Sequence, residues 1–369
     1  MIKILFYIET LTGGGAEKVL QNLVNHMDQT EFEITVQTAW PCDASKYLAP
    51  GIRYLSMYAS DSKANRLRYR VEAESGIAYR LHIKDNYDIE CAYLEMGSTK
   101  VMAASTNQKA KKLAWVHCDL KMALNDPAAF VEKTKRWYQK FDRAVCVSQL
   151  VKKHFDELFH GSVSSTVLYN VIDDAAICEQ ARMPLPGGLQ KRRATVLSVG
   201  RLAGPKNYLR LLSAHRQLLA EGLEHDLWIV GEGPERGMLE QFVRENRLQD
   251  SVFLPGFAEN PYPCMKAADL LVCSSSYEGY STFATEAIVL GKPFLTTDVS
   301  GMRELLGDSE YGLIVRNEDS AFVAGMRSLL ADSARLKEYS KRASIRGETI
   351  SLAQRVAETQ DFLKRIVRQ

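Results

Sequence analysis

The order of strand-like and helix-like runs, met twice along the chain, constrains the fold more than any other feature. IKILFYI (2–8) is an unbroken apolar run of strand length, followed by a glycine turn. From Ala16 to Met27 the apolar residues Val19, Leu20, Leu23, Val24 and Met27 recur at helical spacing. FEITVQT (32–38) predicts a second strand, and Asn65 to Ile83 a helix. DIECAYL (88–94), KKLAWVH (111–117), RAVCVS and TVLYN predict further strands with helical stretches between them. Strand, helix, strand in regular order requires crossover connections, which build a parallel sheet covered on both faces.

The pattern then breaks and restarts. MPLPGGLQKRR (183–193) holds two prolines, two glycines and a basic cluster, and reads as a linker. TVLSVG (195–200), DLWIVG (226–231), SVFLPG, DLLVCS and PFLTT predict a second set of strands, with helices over Tyr208 to Ala220 and Arg236 to Asn246. At 369 residues the chain suits two domains better than one. The boundaries expected are 1–180 for the first and 181–350 for the second. Open sheets of this kind bind ligands outside the carboxyl ends of their strands. Two of them suggest a cleft between facing strand ends.

Composition excludes several classes. With 46% hydrophobic and 25% charged residues the chain is a folded protein rather than a disordered one. No run of 18 uncharged apolar residues exists to span a membrane. MIKILFYIET lacks a basic leader and a small-residue cleavage site, so it reads as a first strand rather than a signal peptide. The seven cysteines form no CxxC pair and no ligand spacing, which points to a reducing, cytoplasmic setting. Cys91, Cys146 and Cys273 lie in apolar runs, where a thiol acts as a small hydrophobe. Net charge is +2, but it is unevenly spread. Residues 100–153 carry 12 Lys and Arg against 4 acids (12 − 4 = +8), and residues 63–84 carry 6 against 2 (6 − 2 = +4). Such stretches meet phosphates or an anionic lipid surface, or are simply solvated helix faces.

Three loops carry candidate chemistry. ETLTGGGAEKV follows the first strand, but the third glycine of a dinucleotide fingerprint is replaced by Lys18, and the second strand ends VQTAW with no acid for a ribose. What remains is a backbone that a ligand can approach at Gly13, Gly14 and Gly15, before a helix start that favours anions. In VLSVGRLAGPKN, Arg201 and Lys206 flank a Gly-Pro turn at a strand end, so both can converge on one anion such as a diphosphate. In EGYSTFATE, Glu278 falls in a loop and Glu286 about one turn into a helix capped by Ser281 or Thr282. The helix start exposes amides of residues 280–282 between two carboxylates that accept from vicinal hydroxyls. A polyol on both sides of a phosphate is a nucleotide sugar.

On TGGGAEKV, SVGRLAGPKN, IVGEGPE, FLPGF, EGYSTFATEA, GKPFLTT and GMREL, the chain resembles the retaining glycosyltransferases of family 4 with the GT-B fold, as found in bacterial polysaccharide and lipopolysaccharide assembly. The resemblance implies two Rossmann-like domains facing across a cleft, with the last helix (351–369) packing back on the first. It implies that Glu286 holds the ribose hydroxyls, and that Glu278 meets the donor sugar with help from Gly279, Tyr280, Ser281 and Thr282. Arg201 and Lys206 would meet the diphosphate, and Gly14 and Gly15 the donor phosphates or the acceptor mouth. His117 would lie near the donor sugar, Gly231, Gly233 and Phe257 near the base, and Glu95 near the acceptor hydroxyl. The chain departs from the family's Asn-Gly-Val-Asp turn at Asn170-Val171-Ile172-Asp173, where Val171 is less permissive than glycine.

The reaction implied moves a sugar from a nucleoside-diphosphate sugar, with a UDP-sugar as the donor expected, to a hydroxyl of a glycan or lipid-linked glycan. No cofactor is expected, and no essential metal, since DxD is missing. Nucleic acid is not expected as a partner. A peripheral contact with the inner face of the cytoplasmic membrane is. The alternatives are a nucleotide-sugar epimerase on a similar fold and a non-catalytic scaffold subunit.

Overall fold

The computed structural model describes residues 1–369, Gly187 excepted, and divides into two units, Met1–Val171 with Leu352–Gln369, and Ile172–Ser351. The first unit holds strands β1 (Ile2–Ile8), β2 (Phe32–Thr38), β3 (Arg53–Ser56), β4 (Ile89–Ala92), β5 (Lys111–Val116), β6 (Arg143–Cys146) and β7 (Ser165–Val167). All pair in parallel, in the order β3-β2-β1-β4-β5-β6-β7. The second unit holds β8 (Thr195–Val199), β9 (Asp226–Val230), β10 (Val252–Gly256), β11 (Leu270–Cys273), β12 (Phe294–Thr297) and β13 (Leu313–Val315), parallel in the order β10-β9-β8-β11-β12-β13. Each sheet is a doubly wound, Rossmann-like arrangement. Its strand order reverses where β1 meets β4 and where β8 meets β11, the switch points at which open sheets bind ligands.

Both sheets are covered on both faces, as their unbroken apolar runs require. Ile4 to Ile8 and Leu227 to Ile229 have no exposed surface. Cys91, Cys146 and Cys273 are buried and form no disulfide; Cys91 and Cys146 fill strands β4 and β6, whereas the Cys273 thiol at the end of β11 donates to Ser275 Oγ at 3.2 Å.

The expected linker is anchored inside the second unit. Arg193 Nε reaches Asp226 Oδ1 at 2.7 Å and Arg192 Nε reaches Asp226 Oδ2 at 3.3 Å, against a carboxylate with no solvent exposure. The first unit closes at Val171 rather than at 180, because the helix Asp174–Gln180 packs on the helices Tyr262–Ala267 and Thr282–Val289. At this crossing Val171 and Ile172 are buried, and Asp173 caps the helix by accepting from the Ala176 amide at 2.9 Å. Val171 is not among the residues with positive φ, so the turn takes valine without strain. The helix Leu352–Arg368 belongs to the first unit, where it packs on Gly15–His26 and Gln360 Oε1 accepts from the Asp28 amide.

Two further departures have local causes. The single helix expected over Asn65 to Ile83 is two, Lys63–Glu74 and Ala78–His82, broken at Gly76 with φ +74°. Strands β3 and β13, absent from the sequence reading, are edge strands of four and three residues, mostly half-buried. Runs that short carry no usable period.

Candidate functional site

The carboxyl ends of β8 and β11 meet at the second unit's switch point. The turn after β8 is a short 3-10 segment, Gly204–Lys206, and Asn207 follows with φ +49°. Asparagine tolerates that conformation, and its side chain caps the helix Tyr208–Ala220 by accepting from the Arg210 amide. This places Lys206 beside the loop that leaves β11. Lys206 Nζ donates to Glu278 Oε1 at 2.6 Å, and Ser275 Oγ donates to the same oxygen at 2.6 Å. Glu278 Oε2 has no hydrogen bond among the described residues. Burial works against the Lys206 charge, but the Glu278 carboxylate outweighs it and holds the ammonium's pKa above its usual range. Arg201 is exposed and makes no side-chain hydrogen bond or ion pair among the described residues.

The loop 274–281 is fixed from behind. Ser274 Oγ donates to Lys206 O (2.8 Å), Ser276 N to Pro205 O (2.8 Å), and Thr297 Oγ1 to Ser275 O (2.6 Å). Ser281 caps the helix Thr282–Val289, accepting from the Ala284 amide at 3.3 Å, and Thr285 Oγ1 returns a bond to Ser281 O. The amides of Thr282 and Phe283 lie in the first turn, which has no intrahelical acceptor to offer them. Glu286 is half-buried on the second turn, where Oε1 accepts from Tyr262 OH at 3.1 Å. Burial, then the neighbouring Glu286, pushes the Tyr262 phenol up, so it stays a donor. Tyr262 and Ser275 were not legible as site residues, since a tyrosine in NPYPC and a serine in SSS carry no pattern of their own.

The glycines of the other loops have a packing duty. A Cβ on Gly231 would lie 1.9 Å from Gly200 O, and one on Gly233 would lie 2.3 Å from Leu202 O. The loop after β9 therefore presses backbone to backbone on the loop that carries Arg201, joined by Leu202 N to Glu232 O at 2.9 Å. Gly301, with φ +80°, packs on Gly279 and Tyr280 less tightly, where a Cβ would lie 2.9 Å from Gly279 O. Phe257, just past β10, is 68% exposed.

The first unit's candidates are arranged differently. Glu95 Oε1 accepts from the amides of His117 (2.5 Å) and Cys118 (2.8 Å), so the carboxylate caps the end of β5. Burial raises its pKa, opposed by those amides. His117 stacks near Tyr93, with ring centroids 4.9 Å apart, and its Nε2 is buried without a partner. Burial pushes its pKa down to about 3, so the ring is neutral near pH 7. Gly14 caps the helix Gly15–His26, and the Glu17 carboxylate folds over it, where a Cβ would collide at 2.2 Å. An acid at a helix start is favourable, so an incoming phosphate would have to displace it. Glu9, just past β1, accepts from Tyr69 OH at 2.6 Å.

Two Rossmann-like units with charged loops at a switch point define the GT-B class of fold. Residues 182–346 match the family described as "Glycosyl transferases group 1". The chain is similar, at 33% identity over 201 residues, to the N-acetylgalactosamine-N,N'-diacetylbacillosaminyl-diphospho-undecaprenol 4-alpha-N-acetylgalactosaminyltransferase of Campylobacter jejuni, covering 54% of this chain and 52% of that one. It is 28% identical over 156 residues to the poly(glycerol-phosphate) alpha-glucosyltransferase of Bacillus subtilis, covering 42% and 23%. The chain thus spans about half, or less, of the length of these relatives. Among solved structures it resembles Anabaena Alr3699/HepE in complex with UDP and glucose (TM-score 0.76, 16% identity, 99% and 100% of the two chains). It also resembles the sucrose-phosphate synthase of Thermosynechococcus elongatus (TM-score 0.79, 18% identity, 99% of each).

Proposed function

We propose that the protein is a retaining glycosyltransferase of family 4 that transfers a sugar from a nucleoside-diphosphate sugar, UDP first, to a hydroxyl of a glycan or lipid-linked glycan. The observation that carries this reading is the Lys206–Glu278 pair at the β8–β11 switch point, with Glu286 one turn into the helix Thr282–Val289 that follows. The Anabaena structure contains UDP and glucose, which supports the donor class, and the Campylobacter relative's name specifies a diphospho-undecaprenol acceptor, which supports a lipid-linked one.

In this reading Arg201 and Lys206 meet the diphosphate, joined by the amides of Thr282 and Phe283. The charge that grows on the leaving phosphate falls where these donors are already fixed, which is worth most in a site that excludes water. Cations of the chain do this work, so EDTA leaves the rate unchanged. Glu278 offers Oε2 to a sugar hydroxyl while Lys206 and Ser275 hold Oε1. Glu286, steadied by Tyr262, takes the ribose. His117 is neutral and gives a hydrogen bond from or to Nε2 rather than a charge. The phosphate itself, on the same face, accepts the proton of the acceptor hydroxyl.

The test is turnover of UDP-glucose and UDP-N-acetylhexosamines with water as the only acceptor, followed by UDP release and by NMR of the first anomer formed. Slow release with retained configuration, reduced in Lys206→Ala, is expected. An isomerised UDP-sugar would favour the epimerase. Intact donor with every base would leave a scaffold.

A further inference from the structure

The helix Lys63–Glu74 turns a greasy face to solvent. Leu67 is 61% exposed and Val71, one turn on, 58%. In the helix Ala78–His82 and the turn before it, Ile77 and Leu81 are 43% and 42% exposed. These four make up all but one of the exposed large aliphatic side chains described, apart from methionine, and they fall within fifteen residues. Scattered apolar residues need no explanation, but a cluster does.

The charges around it have one sign. The stretch carries only two acids, and both are engaged elsewhere. Glu72 is 5% exposed and accepts from Tyr58 OH, Arg68 Nε and His82 Nε2 within 2.7 Å. Glu74 pairs with Lys100. Lys63, Arg70 and Arg80 are exposed with no side-chain hydrogen bond or ion pair among the described residues. The larger basic stretch, 100–153, is different, since among its described residues the only exposed large apolar side chain is Met122, and Lys100, Lys111, Lys121 and Lys152 pair with acids.

We propose that Leu67, Val71, Ile77 and Leu81, ringed by Lys63, Arg70 and Arg80, dock the first unit on an anionic lipid surface. Apolar side chains enter the headgroup boundary while free cations meet lipid phosphates, the pattern of a helix lying in a membrane interface. A soluble acidic protein would match the charge but not four exposed aliphatic side chains among it. The opposite face of the same helix carries Tyr69, which reaches Glu9 at the end of β1. The docked helix thus spans from lipid to the first unit's switch point. Its purpose rests on the lipid-linked acceptor reading above, whereas its geometry does not.

The experiment is flotation of the full chain with vesicles of phosphatidylglycerol and phosphatidylcholine, against phosphatidylcholine alone. Binding to the anionic vesicles, weakened at least tenfold by Leu67→Ser with Val71→Ser and by Lys63→Gln with Arg70→Gln, is expected. All four positions are exposed, so the variants should fold, and unchanged water-driven UDP release checks this. If neither pair weakens binding, or no binding occurs at low salt, the proposal is wrong. Concentration-dependent dimerisation without lipid, abolished by Leu67→Ser, would assign the face to a second copy of the chain and overturn it too. Loss of UDP release in the wild type, with lipid binding intact, would strike the transferase reading alone.

Discussion

In the second unit the loops after β8 and β11 meet through opposite charges, with Lys206 Nζ 2.6 Å from Glu278 and an exposed Arg201 nearby. In the first unit the loops after β4 and β5 meet through Glu95, whose carboxylate is taken up by two backbone amides. The two sheets share a strand order, yet one edge displays charge and the other consumes it. A phosphate needs cations and free amides at fixed positions, so the residues that bind it leave little choice. An acceptor hydroxyl needs only a hydrogen bond, which many arrangements give.

The largest effect expected is on transfer. Lys206→Ala should lower the rate about 10²–10³-fold, as for loss of one fixed donor to a developing anion, in a donor-turnover assay, while Glu95→Ala should slow it far less. An equal loss in both would break the contrast between the units.

Gly231→Ala comes next. Its Cβ would sit 1.9 Å from Gly200 O, so the loop bearing Arg201 must move. A stability loss of about 1–3 kcal/mol, the usual cost of overpacking, should appear in urea melts together with weaker UDP binding. Glu95→Ala should cost a similar amount, about 1–3 kcal/mol for buried donors left unpaired, with UDP binding unchanged.

Acid sharpens the contrast in stability. In the second unit His225 Nδ1 donates to Leu223 O (2.8 Å), its Nε2 accepts from His215 Nδ1 (2.8 Å), and His215 Nε2 faces Ser251 Oγ (2.9 Å). The contact between the two rings holds a single proton, so at most one of them can be charged. Burial pushes His215 down to about 3, and lowers His225 as well. The unfolded chain takes up protons near pH 6.5 while the folded one does not. Stability is therefore fully present above pH 6.5 and falls as the pH drops toward 3, by up to about 1.4 kcal/mol per pH unit for each ring. The first unit has one such ring, His117. Hydrogen exchange at pH 7.5 and 5.5 should show the larger loss of protection in the second unit.

The smallest effect is at the cap. Ser281→Ala should cost about 1 kcal/mol and weaken donor binding slightly, because it loosens the helix start without removing a ligand-facing carboxylate.

The central strands and the helix that begins within EGYSTFATE were legible because they answer to burial and capping, both written in local residue type. Ser281 does cap, and Glu278 and Glu286 fall in loop and helix as their spacing required. The edge strands β3 and β13 were not legible, since half-buried runs of three or four residues look like loop. The domain boundary was misjudged because Pro and Gly at 183–193 signal irregular backbone, not separation. Arg192 and Arg193 tie that irregular stretch to Asp226, a contact between residues far apart in the chain. Tyr262 was missed for the same reason, since only the fold brings it to Glu286.

The most direct measurement is a thermal titration with UDP, GDP and ADP, with and without EDTA, on the wild type and on Glu286→Ala. The account predicts that one nucleoside diphosphate, UDP first, stabilises the wild type by roughly 2.7 kcal/mol at 100 times its dissociation constant. EDTA should have no effect, and Glu286→Ala should lose most of the gain. Equal stabilisation of wild type and Glu286→Ala, or none by any nucleotide, would contradict it.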